Sequence, residues 1–372
     1  MAQLDRILPA LPVGARIVFL RLRSLGDAVL STPALEALRA WRPDLHLGYV
    51  IEDRFAAALA GQAELFVLRT RNGAGQSFSG AEPGISAALD FWPLARRLRQ
   101  WKPQVAINLH GGSRATALML AAGARYRAGF AGGANAWALN ARTPPAPPPP
   151  GRRRLHGAEH IASLLYSLGL PAAPLGPARV IPQAGALAAV QARLRQAGIA
   201  GPYVFVHAGA REPRLVWPPE RMAAWLNVLC RRHGWAAVMA REPGASRAAE
   251  EAVLARLEPS IRGACLADTN VAELIALIAG AEWAAGNDGG PLHVAAALGK
   301  PVIALFAATH PDIWHPWRTP HRLLRAGGGC AACPEPGCLR EGQSPCIRAI
   351  GLDAALAAAR ELENEFNPAG QG

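Results

Sequence analysis

The chain has 372 residues, of which 51% are hydrophobic and 18% are charged, and its net charge is +12. This length allows two domains with separate cores, and the composition excludes an intrinsically disordered protein. The basic balance indicates an anionic partner, such as nucleic acid, an acidic lipid surface or a phosphorylated substrate.

The first half of the chain alternates strand-like and helical segments. Strands are predicted at residues 16–22, 46–51 and 104–109, and helices at residues 85–101 and 157–168. Residues 143–150 are rich in proline and look like a linker. The helix predicted after them, at residues 157–168, would however still pack on the first sheet. We therefore interpret them as a surface loop and expect the domain boundary in the turn-rich residues 171–182.

The second half repeats the alternation. Strands are predicted at residues 203–207, 235–240, 261–265, 282–285 and 301–306, and helices at residues 219–233, 245–257, 271–279 and 352–365. Alternation of this kind predicts an α/β protein with two doubly wound parallel-sheet domains facing across a cleft. The predicted domains are residues 1–175 and 176–350, followed by a C-terminal helix and tail at 351–372.

The segment AGNDGGPLHV predicts an anion-binding turn in the second domain. Gly289 and Gly290 precede a helix that begins near Pro291, so backbone N–H groups at the positive end of the helix are open to a diphosphate. Asp288 either hydrogen-bonds sugar hydroxyls or caps the helix. His293 either faces the same turn or is a buried core histidine.

Other polar residues follow predicted strands. Asp27 comes after the first strand, where it can cap a helix or act as a general base. Arg114 can hold an anionic acceptor or lie in solvent. Gly209 follows the strand at 203–207 and lets a diphosphate approach the backbone, with Arg211 or Arg214 as countercharge; the alternative is a plain basic loop.

Several common phosphate and nucleophile motifs are absent from the sequence. There is no G-x-x-x-x-G-K-[ST] loop, no G-x-S-x-G elbow and no D-x-D pair. Charge neutralisation is therefore expected from basic side chains and helix ends. The basic residues look dispersed apart from Arg152, Arg153 and Arg154, without interleaved aromatic residues, so nucleic acid is not an expected partner.

Four of the six cysteines form a C-x2-C-x4-C-x7-C pattern made of Cys330, Cys333, Cys338 and Cys346. This spacing is compatible with structural zinc or an iron–sulfur site, or with a cysteine-rich loop that holds no metal. We expect no metal in the active site. Cys230 and Cys265 lie in apolar contexts typical of core residues.

The N-terminal stretch has charged residues early and inside its apolar part, which is untypical of a signal peptide. No uncharged apolar run reaches the roughly 18 residues of a membrane-spanning helix. A cytoplasmic protein is therefore expected.

These motifs together resemble glycosyltransferase family 9, the heptosyltransferases of lipopolysaccharide core assembly. The matching blocks are RLRSLGD with TPAL near the N-terminus, HGGSR and RAGF in the middle, and GNDGGPLH with AAALGKP in the second half. The cysteine-rich loop is also similar to one found in many members. The match covers most of the chain.

The resemblance implies a GT-B fold and an inverting, metal-independent transfer of heptose from ADP-heptose to a lipid-linked acceptor, without a required cofactor. Asp27 would be the general base, and Arg214, in place of the usual lysine, would stabilise the departing diphosphate. Donor-binding residues would be Gly209, Glu242, Asp288, Gly289, Gly290 and His293, with Glu242 on the ribose. Arg23 and Arg114 would bind the anionic acceptor, and the protein would contact the inner membrane peripherally.

Two alternatives stay open. A nucleotide-sugar epimerase has a similar two-domain fold and needs no acceptor. A nucleotide-sugar-binding protein without catalytic activity would bind donor and release it unchanged. Gly209 and Ala210 stand where heptose-transferring members often carry hydroxyl residues, so the donor sugar is the least specified part of the prediction.

Overall fold

The computed structural model describes residues 4–69, 90–210, 215–241, 247–307, 309–325 and 345–366. The chain divides into two compact units between Ile181 and Pro182, at the end of the turn-rich stretch noted above. Residues 144–150 lie inside the first unit and are mostly exposed, which fits a surface loop.

The first unit is built on a six-stranded parallel sheet in the order β3-β2-β1-β4-β5-β6. Its strands are β1 (Arg16–Leu20), β2 (His46–Glu52), β3 (Glu64–Leu68), β4 (Val105–Asn108), β5 (Tyr126–Phe130) and β6 (Ala141–Thr143). β1 pairs with β2 on one side and with β4 on the other, and all five residues of β1 lie in the register with β2. Near-continuous apolar strands are typical of such a sheet because both of its faces are covered.

Helices cover both faces of the first sheet. They are α1 (Leu25–Trp41), α2 (Phe91–Trp101), α3 (Ser113–Ala122) and α4 (Gly157–Ser167). α1 and α4 pack on each other, whereas α2, α3 and residues 136–139 share one apolar cluster with strand residues such as Val18, Leu20 and Phe66. α2 ends at Trp101 because its C-cap, Lys102, is left-handed at φ 52° and is followed by Pro103.

The second unit has another six-stranded parallel sheet, in the order β12-β11-β10-β7-β8-β9. Its strands are β7 (Tyr203–His207), β8 (Ala236–Ala240), β9 (Gly263–Leu266), β10 (Trp283–Asn287), β11 (Val302–Leu305) and β12 (His321–Leu324). Its helices are α5 (Ala184–Gln196), α6 (Pro219–His233), α7 (Ala248–Leu254), α8 (Val271–Ala279), α9 (Gly290–Ala297), α10 (Pro311–Trp314), α11 (Pro345–Arg348) and α12 (Leu352–Phe366).

The two sheets have the same topology. In each, the first strand lies beside the fourth, and the second and third strands extend the sheet in the opposite direction from the fifth and sixth. Ligands of doubly wound sheets bind at this switch point, beyond the carboxyl ends of the strands. The loops after β1 and β4, and those after β7 and β10, are therefore the places to look for a site.

The predicted α/β class with two doubly wound parallel sheets is confirmed. β3, β5, β6, β12, α5, α10 and α11 were not predicted from the sequence, and the first strand was predicted two residues too long. The helix predicted at 85–101 is described from Phe91; residues 85–89 lie outside the described part. Within the described residues, no helix is both long enough and apolar enough to cross a membrane.

Candidate active site

Asp27 is held by a network at the carboxyl end of β1. It is the third residue of α1, whose N-cap is Ser24, so Asp27 itself is not the cap. Its Oδ2 accepts hydrogen bonds from the Ser24 backbone N–H at 3.3 Å and the Ser24 hydroxyl at 2.9 Å. Arg21 Nη2 lies 2.6 Å from the same oxygen. Among the described residues, Oδ1 accepts no hydrogen bond.

Opposing effects act on the ionisation of Asp27. Burial raises the pKa of the carboxyl group, but the charge of Arg21 and the hydrogen bonds from Arg21 and Ser24 outweigh it, so the pKa is lowered overall. Arg21 is itself fixed by a hydrogen bond from Nη1 to the Leu109 carbonyl at 3.1 Å. The carboxylate is therefore ionised at neutral pH.

The loop after β4 reaches the same edge of the sheet. Asn108 Oδ1 accepts the backbone N–H groups of His110 and Gly111 at 3.1 and 2.8 Å, which shapes the turn. Partial burial lowers the pKa of His110, and the charges of Arg21 and Arg23 act in the same direction while Asp27 opposes them. His110 is thus part of the charged environment of the carboxylate.

Glu52 gathers three arginines at the end of β2. Its side chain is 3% exposed and pairs with the buried Arg54, whose Nη2 lies 3.0 Å from Oε2. Arg23 Nε and Arg114 Nη1 lie 3.9 and 3.7 Å from the other oxygen, Oε1. The two predicted acceptor-binding arginines are therefore brought together, around a carboxylate that the sequence analysis did not identify.

The predicted anion-binding turn joins β10 to α9. Gly289 is the N-cap of α9 and Gly290 is its first residue, so Asp288 is not the cap. Asp288 instead accepts a hydrogen bond from the Thr309 hydroxyl at 2.5 Å. The N–H groups at the start of this helix are suited to an anion because of the helix dipole.

His207 explains why glycine is needed at Gly286 in β10 and at Gly289 in the turn after it. A Cβ on Gly289 would lie 2.7 Å from His207 Nε2, and one on Gly286, where φ is +137°, would lie 2.2 Å from the His207 carbonyl oxygen. Both distances are too short for a side chain. Burial lowers the pKa of His207 to about 4, so its imidazole is neutral at physiological pH.

Asn287 links this turn to the loop after β7. Its Nδ2 donates to the carbonyls of Ala208 and Gly209 at 2.7 and 3.1 Å, and its Oδ1 accepts the Trp217 N–H at 2.9 Å. The side chain is 1% exposed, so these buried bonds fix Ala208, Gly209 and Trp217 in place. Gly209 is thereby held beside the strand that carries the anion-binding turn.

A second carboxyl group lies close to Gly209. Glu250 is 7% exposed, and its Oε2 has no hydrogen-bond partner among the described residues. Burial raises its pKa. A Cβ on Gly209 would lie 3.6 Å from Glu250 Oε1. Glu242, which was predicted for the ribose, lies outside the described residues.

Other predicted residues have simpler outcomes. His293 is 6% exposed and its ring packs edge-on to Trp314, which fits the core-histidine interpretation. Arg211 and Arg214 lie outside the described residues, as do Cys330, Cys333 and Cys338. Cys346 is buried on α11, and no group of metal-ligating side chains occurs in the described ranges.

Five residues of the site had no role predicted from the sequence, namely Arg21, Glu52, His207, Asn287 and Glu250. Arg21 and Asn287 lie in the motifs RLRSLGD and GNDGGPLH. Their closeness in sequence to Asp27 and Asp288 could have identified them as site residues. Glu52 and His207 end buried strands, which is also a signal, because the carboxyl ends of parallel strands form the ligand side of the sheet. Glu250 lies within a helix and had no local signal.

The sequence model of glycosyltransferase family 9 (heptosyltransferase) matches residues 91–343. The chain belongs to glycosyltransferase family 9. Lipopolysaccharide heptosyltransferase 3 of Escherichia coli is 32% identical over 126 residues, which cover 33% of this chain and 36% of that protein. The chain thus spans about a third of the length of the curated relatives it matches.

Two solved structures share the fold over nearly the whole chain. A family 9 glycosyl transferase from Veillonella parvula has a TM-score of 0.78 at 20% identity, covering 96% of this chain and 99% of its own. ADP-heptose lps heptosyltransferase II of E. coli has a TM-score of 0.70 at 20% identity, covering 95% and 99%. The GT-B type of fold predicted from the family resemblance is confirmed.

Proposed function

We propose that this protein is an inverting glycosyltransferase that transfers heptose or a related sugar from ADP-heptose to a lipopolysaccharide core or another lipid-linked acceptor. The observation that carries the proposal is the arrangement of Asp27, in which Arg21 and Ser24 hold one carboxylate oxygen and leave the other without a donor among the described residues. The family match supports a sugar-transfer reaction.

Asp27 is the proposed general base. Oδ1 accepts the proton of the acceptor hydroxyl while the hydroxyl oxygen forms a bond to the anomeric carbon of the donor. The bond from that carbon to the diphosphate breaks, and its electron pair leaves with ADP. A single displacement of this kind inverts the anomeric centre. The lowered pKa keeps the base ionised, and the fixed position of Oδ2 orients it.

The second unit is proposed to bind the donor. The N–H groups of Gly289 and Gly290 at the start of α9 would receive a phosphate, and Asp288 would accept hydrogen bonds from sugar hydroxyls. Gly209 leaves the backbone after β7 accessible, and Arg214 is proposed to balance the charge of the departing ADP. Glu242 and Glu250 are two candidate partners for the donor ribose or base.

The first unit is proposed to bind the acceptor. Arg23 and Arg114 both lie near Glu52 Oε1, and with Arg54 they leave an excess of positive charge at the end of β2. Such a cluster suits a carboxylate or phosphate on the acceptor. Glu52 acts as a positioning residue, since it orients the arginines and does not itself attract an anion.

The Asp27→Asn variant tests the base. We expect turnover with ADP-heptose and acceptor to fall by roughly 10²–10⁴, the usual contribution of general-base catalysis. Donor binding should not change, because its proposed site is in the second unit. Asp44→Asn is a matched control, since it removes another arginine-paired carboxylate from the same unit.

Turnover of Asp27→Asn close to wild type, with circular dichroism unchanged, would exclude Asp27 as the base. Modification of the donor without any acceptor would favour the epimerase alternative. Tight binding of ADP-heptose without turnover on any tested acceptor would favour the binding protein. A panel of ADP-, GDP-, UDP- and dTDP-sugars in thermal unfolding would identify the nucleotide, and the proposal expects stabilisation by the ADP-sugar.

A further inference from the structure

The net charge of the chain is concentrated in one stretch. Residues 91–158 contain 11 of the 39 lysines and arginines and none of the 27 acidic residues. The rest of the chain has 28 basic and 27 acidic residues, so nearly all of the +12 charge belongs to this stretch. The predicted dispersal of basic residues therefore needs correction, because this segment contains no acidic residue of its own. Acidic residues from outside the segment pair with Arg97, Arg114 and Arg152.

Part of this stretch forms a layer on one face of the first sheet, while β4, β5 and β6 belong to the sheet itself. α2, α3 and residues 136–139 pack together through buried residues such as Leu94, Leu98 and Leu118. On its outer side this layer exposes large apolar side chains. Trp92 is 77% exposed, Trp137 is 68% exposed and Leu120 is 39% exposed. Three apolar side chains therefore lie in solvent on the most basic part of the molecule.

α2 carries both positive charge and an exposed aromatic side chain in a stripe along one side of the helix. Trp92, Arg96 and Arg99 are spaced i, i+4 and i+7, which places them on one side of the helix, opposite the buried Leu94 and Leu98. α2 contains no acidic residue. Within the described part of the chain, Arg96 and Arg99 form no ion pair.

The stripe continues onto α3 and the turn after it. A Cβ on Gly123, the C-cap of α3, would lie 3.9 Å from Arg99 Nη1, so the guanidinium of Arg99 extends over the end of that helix. Arg125 is exposed in the same turn, and its guanidinium stacks over Tyr126 at 5.2 Å. We name Trp92, Arg96, Arg99, Leu120, Arg125 and Trp137 the basic aromatic face.

We propose that the basic aromatic face docks the protein on an anionic lipid bilayer. Tryptophan side chains are favoured at the membrane–water interface, and arginines are attracted to acidic headgroups by about 1 kcal/mol each. A nucleic acid would also satisfy the charges, and its bases could stack on the tryptophans, but it would gain nothing from Leu120. A bilayer interface accommodates all three apolar side chains. The proposal is independent of the transfer chemistry, since none of these residues belongs to the candidate active site.

Flotation of the full-length protein with phosphatidylcholine vesicles, with and without phosphatidylglycerol, tests the proposal. We expect binding to the anionic vesicles only, and weaker binding at high salt. The double variant R96Q/R99Q should bind roughly 30-fold less, as expected from about 1 kcal/mol per arginine. W92A/W137A should bind at least about tenfold less, because it removes the apolar area that enters the interface.

Matched variants in the second unit provide controls. R195Q/R360Q removes the same charge from exposed positions on α5 and α12, and Phe366→Ala removes an apolar side chain that is 50% exposed. Both should bind vesicles as the wild type does. Equal losses in the controls would mean that net charge alone drives binding and would overturn the proposal.

Two other outcomes would also overturn it. The first is absence of wild-type binding to anionic vesicles at low salt. The second is unchanged vesicle binding by W92A/W137A together with tight binding of RNA through the arginines, which would identify a polyanion-binding surface instead. Transfer to a delipidated, water-soluble acceptor should be the same in all variants, so failure of docking and failure of the proposed transferase activity are separable.

Discussion

Arg21 Nη2 lies 2.6 Å from Asp27 Oδ2, and only 14% and 17% of the two side chains are exposed. The same oxygen accepts both hydrogen bonds from Ser24. The carboxylate is therefore asymmetric: Oδ2 is anchored, whereas Oδ1 has no donor among the described residues. A base built in this way keeps its orientation while it accepts a proton.

Replacement of Arg21 by methionine should change the pH dependence of the reaction. The wild-type enzyme should lose activity only below the ordinary pKa of an aspartate, because the pKa of Asp27 is lowered. Without the guanidinium, burial should raise that pKa, and the acidic limb of kcat/KM should move to higher pH. A pH–rate profile measures this shift, and Arg69→Met, which breaks an exposed pair with Asp90, should leave it in place.

The same variant should lose stability in a defined pH range. A lowered carboxyl pKa stabilises the fold above the pKa of the unfolded chain, and this contribution disappears as pH falls through the folded value. Arg21→Met should therefore differ most from the wild type at neutral pH and converge with it in acid. In the pH–rate profile, an acidic limb of kcat/KM that does not move in Arg21→Met would mean that the ionisation of Asp27 does not control the rate.

Glu52→Gln should destabilise the first unit. Glu52 and Arg54 form an ion pair in which both side chains are under 10% exposed, and Glu52→Gln takes a buried carboxylate away from the Arg54 guanidinium. Such changes cost about 3–5 kcal/mol in the free energy of unfolding. Urea unfolding would measure the loss, with Glu64→Gln as the control, since its pair with Arg97 is half-exposed and is worth about 1 kcal/mol at most.

The Glu52 variant should also raise the KM for the acceptor more than it lowers kcat, because Arg23 and Arg114 would lose the carboxylate that orients them. A fall in kcat alone would contradict the positioning role. Rescue by Glu52→Asp, which retains the charge, would support it.

Gly289→Ala should weaken donor binding. The new Cβ would lie 2.7 Å from the buried imidazole of His207, so the turn or the ring must move. Loss of one hydrogen bond to a charged phosphate costs about 1.5–3 kcal/mol, or roughly tenfold or more in the dissociation constant. Calorimetry with ADP and ADP-heptose would measure it. Gly351→Ala meets no atom within 4 Å and should bind as the wild type does; equal affinities in both variants would rule the turn out of donor binding.

Helices whose first turn is marked by a proline or a capping residue were predicted well from the sequence. α6 and α8 have the predicted bounds, since Pro219 starts one helix and Asn270 caps the other with a reciprocal bond to Glu273. β6 has only three residues and β12 is half-exposed, so neither carries a clear apolar run. Their pairing in the sheet, and not their composition, makes them strands.

The candidate site was only partly predictable for a related reason. Asp27 and Asp288 follow strands directly, which the sequence displays. The approach of Arg23 and Arg114 to Glu52 depends on which strands are neighbours, because these arginines come from the segments after β1 and β4. Arg54 is only two residues from Glu52, so that contact is local. Likewise, His207 restricts Gly289 only because β7 lies beside β10.

The two sheets have the same strand order, and in both the loops carry site residues while the buried strands supply the stable core. In both units, the loops after the first and fourth strands carry much of the candidate site, while the central strands are buried and pair in register. Loop residues can change with little effect on such a scaffold. Substitutions in the loops after β7 and β10 can therefore change the donor that is bound. Substitutions in the loops after β1 and β4 can change the acceptor. Evolution or engineering can alter one unit in this way without changing the other.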